Sequence, residues 1–150
     1  MASNALIRLG AENWKHAAWR GSFYPDDLPD EWLLPYYNTQ FKTVYLPAAA
    51  AHLATPQDWL NWLNDTLEEF VFIVEESPGL QVPVSGRVQR ASPAWLAGHV
   101  WWLDDDPDLR ALAKRIAEHA ATGVPLFVVS RRGDLAALRQ VEALREVMGY

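Results

Sequence analysis

Residues 107–149 read PDLRALAKRIAEHAATGVPLFVVSRRGDLAALRQVEALREVMG, and their rhythm decides the fold. Leu109, Leu112, Ala113, Ile116, Ala117 and Ala120 recur at a helical period, and Gly123 ends the run. VPLFVVS (124–130) is short and continuously apolar, as a strand covered on both faces should be. Asp134 then caps a second helix carrying Leu135, Leu138, Val141, Leu144 and Met148, closed by Gly149. Helix, buried strand, helix is the grammar of an α/β protein with parallel strands and right-handed crossovers.

The same alternation runs backwards along the chain. GHVWWLDDD (98–106) reads as a strand, with Asp106-Pro107 opening the helix after it. FVFIVEE (70–76) is another buried strand. Before it, Thr55 is an N-cap, Pro56 suits the first helical position and Asp58 completes a capping box. FKTVYLPA (41–48) and LIRLG (6–10) are strand candidates. Asp30 would cap a helix to about Asn38, distorted by Pro35 at its fifth residue. Residues 77–97 hold three prolines and two glycines and predict an irregular segment with at most one short strand. The expectation is one domain over 1–150, with a parallel sheet of five or six strands.

Composition narrows the function. The chain is 50% hydrophobic and 21% charged, so it is globular rather than disordered. A formal charge of -6 argues against nucleic acid, which needs a basic face. No apolar run reaches the ~20 residues of a membrane span, and MASNALIRLG lacks the features of a signal peptide. The absence of cysteine fits a reducing compartment. The expectation is a cytoplasmic protein with neither nucleic acid nor membrane as partner. Eight Trp in 150 residues is a surplus suited to cores or interfaces.

WRGSFYPDDLP (19–29), YY at 36–37, FKTV at 41–44 and FVFIVEES at 70–77 resemble the family called domain of unknown function 72, the YecE-like proteins. The resemblance covers residues 6–77, with a weaker match over 98–149. It implies a TIM-type (β/α) barrel, which needs about 250 residues when complete. This chain resembles a shortened member, an incomplete barrel whose missing βα units are replaced by 77–97. Its opening would be covered by self-association, or by that segment packed across it. Against the family's pattern, polar groups at the strand ends give way to Glu12, Tyr45, Pro47, Ala50, Ala51, His52, Glu75 and Arg131. The scaffold residues Trp19, Gly21, Phe23, Tyr24, Pro25, Pro29 and Tyr37 match, as does Arg20. The resemblance therefore implies a retained fold with a degenerate site.

Candidate ligand-binding residues follow, each beside a plainer reading. Trp14, Trp19, Phe23 and Tyr24 would line a slot, or pack as core. Arg20 would clamp an anion, or pair with a nearby acid such as Asp26 or Glu12. Ser130, Arg131 and Arg132, in SRRGD before a helix, would cradle a phosphate or carboxylate, although Asp134 occupies the cap. His52 replaces an Arg at a strand end. DDDPD (104–108) suits a helix N-terminus better than a divalent cation. The four His show no metal-ligand spacing, and no P-loop or dinucleotide fingerprint is present. No cofactor and no metal are expected. Two readings remain: a non-catalytic, homo-oligomeric or partner-binding protein, and an enzyme or binder of a small anionic molecule.

Overall fold

The computed structural model describes residues 6–103 and 106–150. Six strands form one parallel sheet: β1 (Ile7–Glu12), β2 (Thr43–Leu46), β3 (Val71–Glu75), β4 (Val88–Ala91), β5 (Val100–Leu103) and β6 (Leu126–Ser130). Their spatial order is β4-β3-β2-β1-β6-β5. The helices are α1 (Leu33–Gln40), α2 (Ala48–Leu53), α3 (Pro56–Asp65), α4 (Pro93–His99), α5 (Leu109–Thr122) and α6 (Leu135–Met148). The sheet curls into half of a barrel, so the fold is α/β and incompletely barrel-like.

Strand alternation divides the apolar residues between two cores. Ile7, Leu9, Val44, Phe72, Val74, Leu126 and Val128 face α1, α3, α5 and α6 on the convex side. Tyr45, Ile73, Val100, Phe127 and Val129 face the concave side, where Trp95 and Leu96 of α4 pack against them. The chain must pass from β4 at one edge to β5 at the other through residues 92–99 alone. Strand spacing would hold the edges of a flat six-stranded sheet about 24 Å apart. A helix as short as α4 spans only about 11 Å. The connection therefore requires a curled sheet, and α4 crosses its hollow.

The sequence reading and the structure differ at four places. Residues 77–97 are irregular only as far as Arg87, beyond which β4 and most of α4 form. The helix signal there was Ser92-Pro93: Ser92 Oγ accepts the Trp95 N–H at 3.1 Å, with proline in the first turn. Consequently the strand expected from 98 begins at Val100. The helix expected from Asp106-Pro107 is capped by Asp108, whose Oδ1 accepts the Ala111 N–H at 3.0 Å. The helix expected from Asp30 opens as a 3-10 turn over Asp30–Trp32 before α1 begins at Leu33. Pro35 thus falls in the first turn of α1, where an N–H has no intrahelical acceptor to lose. Residues 48–53, assigned no element beforehand, form α2.

The caps read at Thr55, Gly123 and Gly149 are in place. Thr55 Oγ1 accepts the Asp58 N–H at 3.0 Å while Asp58 accepts the Thr55 N–H at 2.9 Å. Gly123 and Gly149 close α5 and α6 in the left-handed conformation.

Candidate functional site

In parallel barrels the chemistry gathers at the carboxyl ends of the strands. Here that end of the concave face carries Glu12 from β1, Tyr45 from β2, Glu75 from β3, Trp102 from β5 and Arg131 just beyond β6. Register places them together: Glu12 lies opposite Tyr45, and Trp102 opposite Val129.

Glu75 is anchored, because its Oε1 accepts the N–H of Ala48 at the start of α2 at 2.8 Å. Its carboxylate also lies close to the Tyr45 hydroxyl. Burial first, then the carboxylate of Glu75, pushes Tyr45 up to about 12, so it stays a neutral phenol near neutral pH. Trp102 meets the Tyr45 ring edge-on, with centroids 5.0 Å apart. The Arg131 guanidinium lies over the other ring of this pair, 4.0 Å from the Trp102 centroid. Such stacking contributes about 0.5–2 kcal/mol and leaves the guanidinium edges open to hydrogen-bond acceptors.

The residues singled out from sequence fall into three groups. Trp14, Trp19 and Tyr24 are buried in the wall beside the mouth. The Tyr24 hydroxyl donates to the Trp14 carbonyl at 2.7 Å, and the Trp19 indole N–H donates to the Gly133 carbonyl at 2.9 Å. Gly133 has φ 66°, and a Cβ there would approach the Trp19 ring to 2.9 Å. The loop after β1 and the loop after β6 are thus clasped together. Arg20 donates to the Leu28 carbonyl at 2.8 Å and to Asp30 at 2.6 Å. Its acid is Asp30 and not the expected Asp26 or Glu12. Asp26 lies against Gly21, and Glu12 belongs to the concave face.

His52 is exposed and its Nε2 meets Ser77 Oγ at 2.6 Å, on the α2 side of the mouth. Ser130 is buried, and its Oγ accepts the Asp134 N–H at 2.8 Å. Asp134 Oδ1 accepts the Ala137 N–H at 3.1 Å, so the N-terminus of α6 is capped from within. Of the eight, only Arg131 points its charge into the concave mouth beside Tyr45 and Trp102. Arg132 is exposed and engaged in an interaction of its own.

Sequence reasoning treated Glu12, Tyr45 and Glu75 as losses from a pattern and passed over Trp102. The signal available was alternation: every second residue of β1, β2, β3 and β5 shares the concave face. Of the acidic run at 104–108, Asp104 and Asp105 lie outside the described residues, and Asp108 caps α5. Among the described residues no group of three or more His, Asp or Glu is placed to hold a metal ion.

Two further concavities lie on the convex side. One, of about 650 Å³, runs between α1 and α6 past Phe41, Lys42, Arg139 and Arg145. The other, of about 440 Å³, is apolar and lies between α3 and residues 81–83, lined by Trp59, Leu60, Leu63 and Val82.

The sequence profile of a family described as protein of unknown function DUF72 matches residues 8–78, the stretch from β1 through β3 that carries Trp14, Trp19 and Tyr24. The chain is a DUF72 protein. No curated protein and no solved structure matches it. The half-barrel of this DUF72 protein keeps the shared stretch as its first three strands. Its remaining three lie outside the matched residues. No helix among the described residues is long and apolar enough to cross a membrane.

Proposed function

We propose that this DUF72 protein acts by association, as a non-catalytic, self-associating protein, and not as a barrel enzyme. The observation that carries this reading is α4 in the hollow of the half-barrel, with the Trp95 ring 5.6 Å from that of Phe127. The volume in which a barrel enzyme would surround its substrate is occupied by the protein's own core. Support for association comes from the outer rim of α3. Leu53 is 82% exposed, Leu60 is 57% exposed and Val84 is fully exposed, around the apolar groove of about 440 Å³. Clustered exposed apolar side chains of this kind mark interaction surfaces. Light scattering over a range of concentrations tests the proposal. Dimers or larger species are expected, reverting to monomers in Leu60→Glu and Val84→Glu. A monomer at every concentration refutes self-association.

A second reading, a binder of a small anionic molecule, is favoured by one observation. Among the described residues, Arg131 is stacked on Trp102 and has no carboxylate partner. Binding of inorganic phosphate followed by Trp fluorescence tests it, with Arg131→Gln as control.

A further inference from the structure

The last registered pair between β1 and β6 is Ala11 with Ser130. One step further along both strands brings Glu12 and Arg131 opposite each other on the concave face. Neighbouring strands are about 4.8 Å apart, a spacing at which a carboxylate and a guanidinium ordinarily pair. Among the described residues they do not pair. Arg131 instead leans the other way, onto the face of Trp102 on β5. The Glu12 carboxylate forms no hydrogen bond or ion pair among the described residues; only its backbone carbonyl is engaged, with His16 Nε2 at 2.6 Å. The Tyr45 hydroxyl, on β2 at the other side of Glu12 from Arg131, lies within electrostatic reach of both charges and of Glu75, which is itself held by the Ala48 N–H.

An acceptor-seeking cation and a donor-seeking anion are therefore kept apart on adjacent strands. Aromatic stacking on Trp102 secures the cation, and the Tyr45 phenol flanks the anion from the other side. We propose that the mouth binds a bifunctional small molecule: an anionic group, phosphate or carboxylate, on Arg131, and an ammonium or hydroxyl donor on Glu12, with the Tyr45 hydroxyl beside Glu12. This assignment rests on the second reading above and is independent of self-association. It explains why two opposite charges stand unpaired at the one place where the chain's strand ends converge. A ligand that supplies both complements satisfies both at once, whereas an anion alone leaves the Glu12 carboxylate beside it as a repulsive neighbour.

The test uses two probes on the intact chain, inorganic phosphate and O-phosphoethanolamine. Each is titrated while Trp fluorescence and backbone amide chemical shifts are followed. The expected result is that phosphoethanolamine binds roughly three- to tenfold more tightly than phosphate, the range one solvent-accessible hydrogen bond supplies. Glu12→Gln should abolish that preference while sparing phosphate binding, and Arg131→Gln should remove binding of both. Both variants alter side chains at the rim, and unchanged circular dichroism establishes that they fold. Equal affinity for the two probes, or a preference that survives Glu12→Gln, overturns the bifunctional assignment and leaves the anion reading standing. No binding of either probe, or binding indifferent to Arg131→Gln, overturns both.

Discussion

Gly10→Ala is expected to be among the most damaging single changes in this protein, and the reason is a phenol inside the sheet. The Tyr37 hydroxyl accepts the Ala11 N–H at 2.8 Å and donates to the Thr43 carbonyl at 2.6 Å. It stands where β1 and β2 would otherwise bond directly, and the ring is fully buried. A Cβ on Gly10 would lie 2.0 Å from Thr43 O and 2.8 Å from the Tyr37 hydroxyl. Neither contact is tolerable, and the nearer one is backbone, which a rotamer change cannot relieve. Opening the gap costs about 1–3 kcal/mol of overpacking. It also weakens two buried hydrogen bonds worth about 0.5–1.5 kcal/mol each. The expected loss is therefore about 2–6 kcal/mol, a large share of a domain's ~5–15 kcal/mol. Tyr37→Phe strands the Ala11 N–H without an acceptor and should cost about 1–3 kcal/mol. Urea unfolding followed by circular dichroism measures both. In the double variant one of the two clashes is gone, so the pair should couple by about 1 kcal/mol. If Gly10→Ala unfolds within about 0.5 kcal/mol of the parent, the inserted-hydroxyl account is refuted, because surface-like tolerance cannot coexist with that overlap.

Three further outcomes are expected. Arg87 donates to the Phe70 carbonyl at 3.3 Å, to the Leu63 carbonyl at 3.1 Å and to Thr66 Oγ1, stapling the end of α3 to the entry of β3. Arg87→Ala should cost about 2 kcal/mol in urea unfolding, and Arg87→Lys should recover less than half, since one ammonium cannot span three acceptors. Trp95→Ala should loosen α4 from the concave core, losing about 2 kcal/mol for a half-buried indole and raising the binding of an apolar dye. Burial raises the phenol pKa of both Tyr24 and Tyr37 above its ordinary value. A raised folded pKa means full stability below pH ~10 and loss above it, as the unfolded chain alone releases protons. Tyr45 is raised as well, and with three such groups the stability should fall by about 4 kcal/mol per pH unit just beyond ~10, seen as alkaline unfolding coincident with phenolate absorbance.

Much of the local structure was legible because it depends on near neighbours. Thr55 with Asp58, Asp134, Gly123 and Gly149 act within four residues, so their caps could be read directly. The fourth strand and α4 were obscured by proline-rich surroundings, although Ser92-Pro93 carried the same start signal as Thr55-Pro56. Arg20 was matched to the wrong acid because the choice among Asp26, Asp30 and Glu12 depends on how a loop folds back on itself.

Residue periodicity alone determined that this chain is an α/β protein built on parallel strands, and the WRGSFYP stretch located the frame shared with its family. Tertiary structure alone decided that α4 fills the hollow, and that Glu12, Tyr45, Glu75, Trp102 and Arg131 meet at one mouth. The physical reason is distance along the chain. Caps and amphipathic faces arise from contacts a few residues apart, which a linear reading contains. The mouth draws on five segments scattered over more than a hundred residues, and they converge only because the strands take the order β4-β3-β2-β1-β6-β5 and the sheet curls.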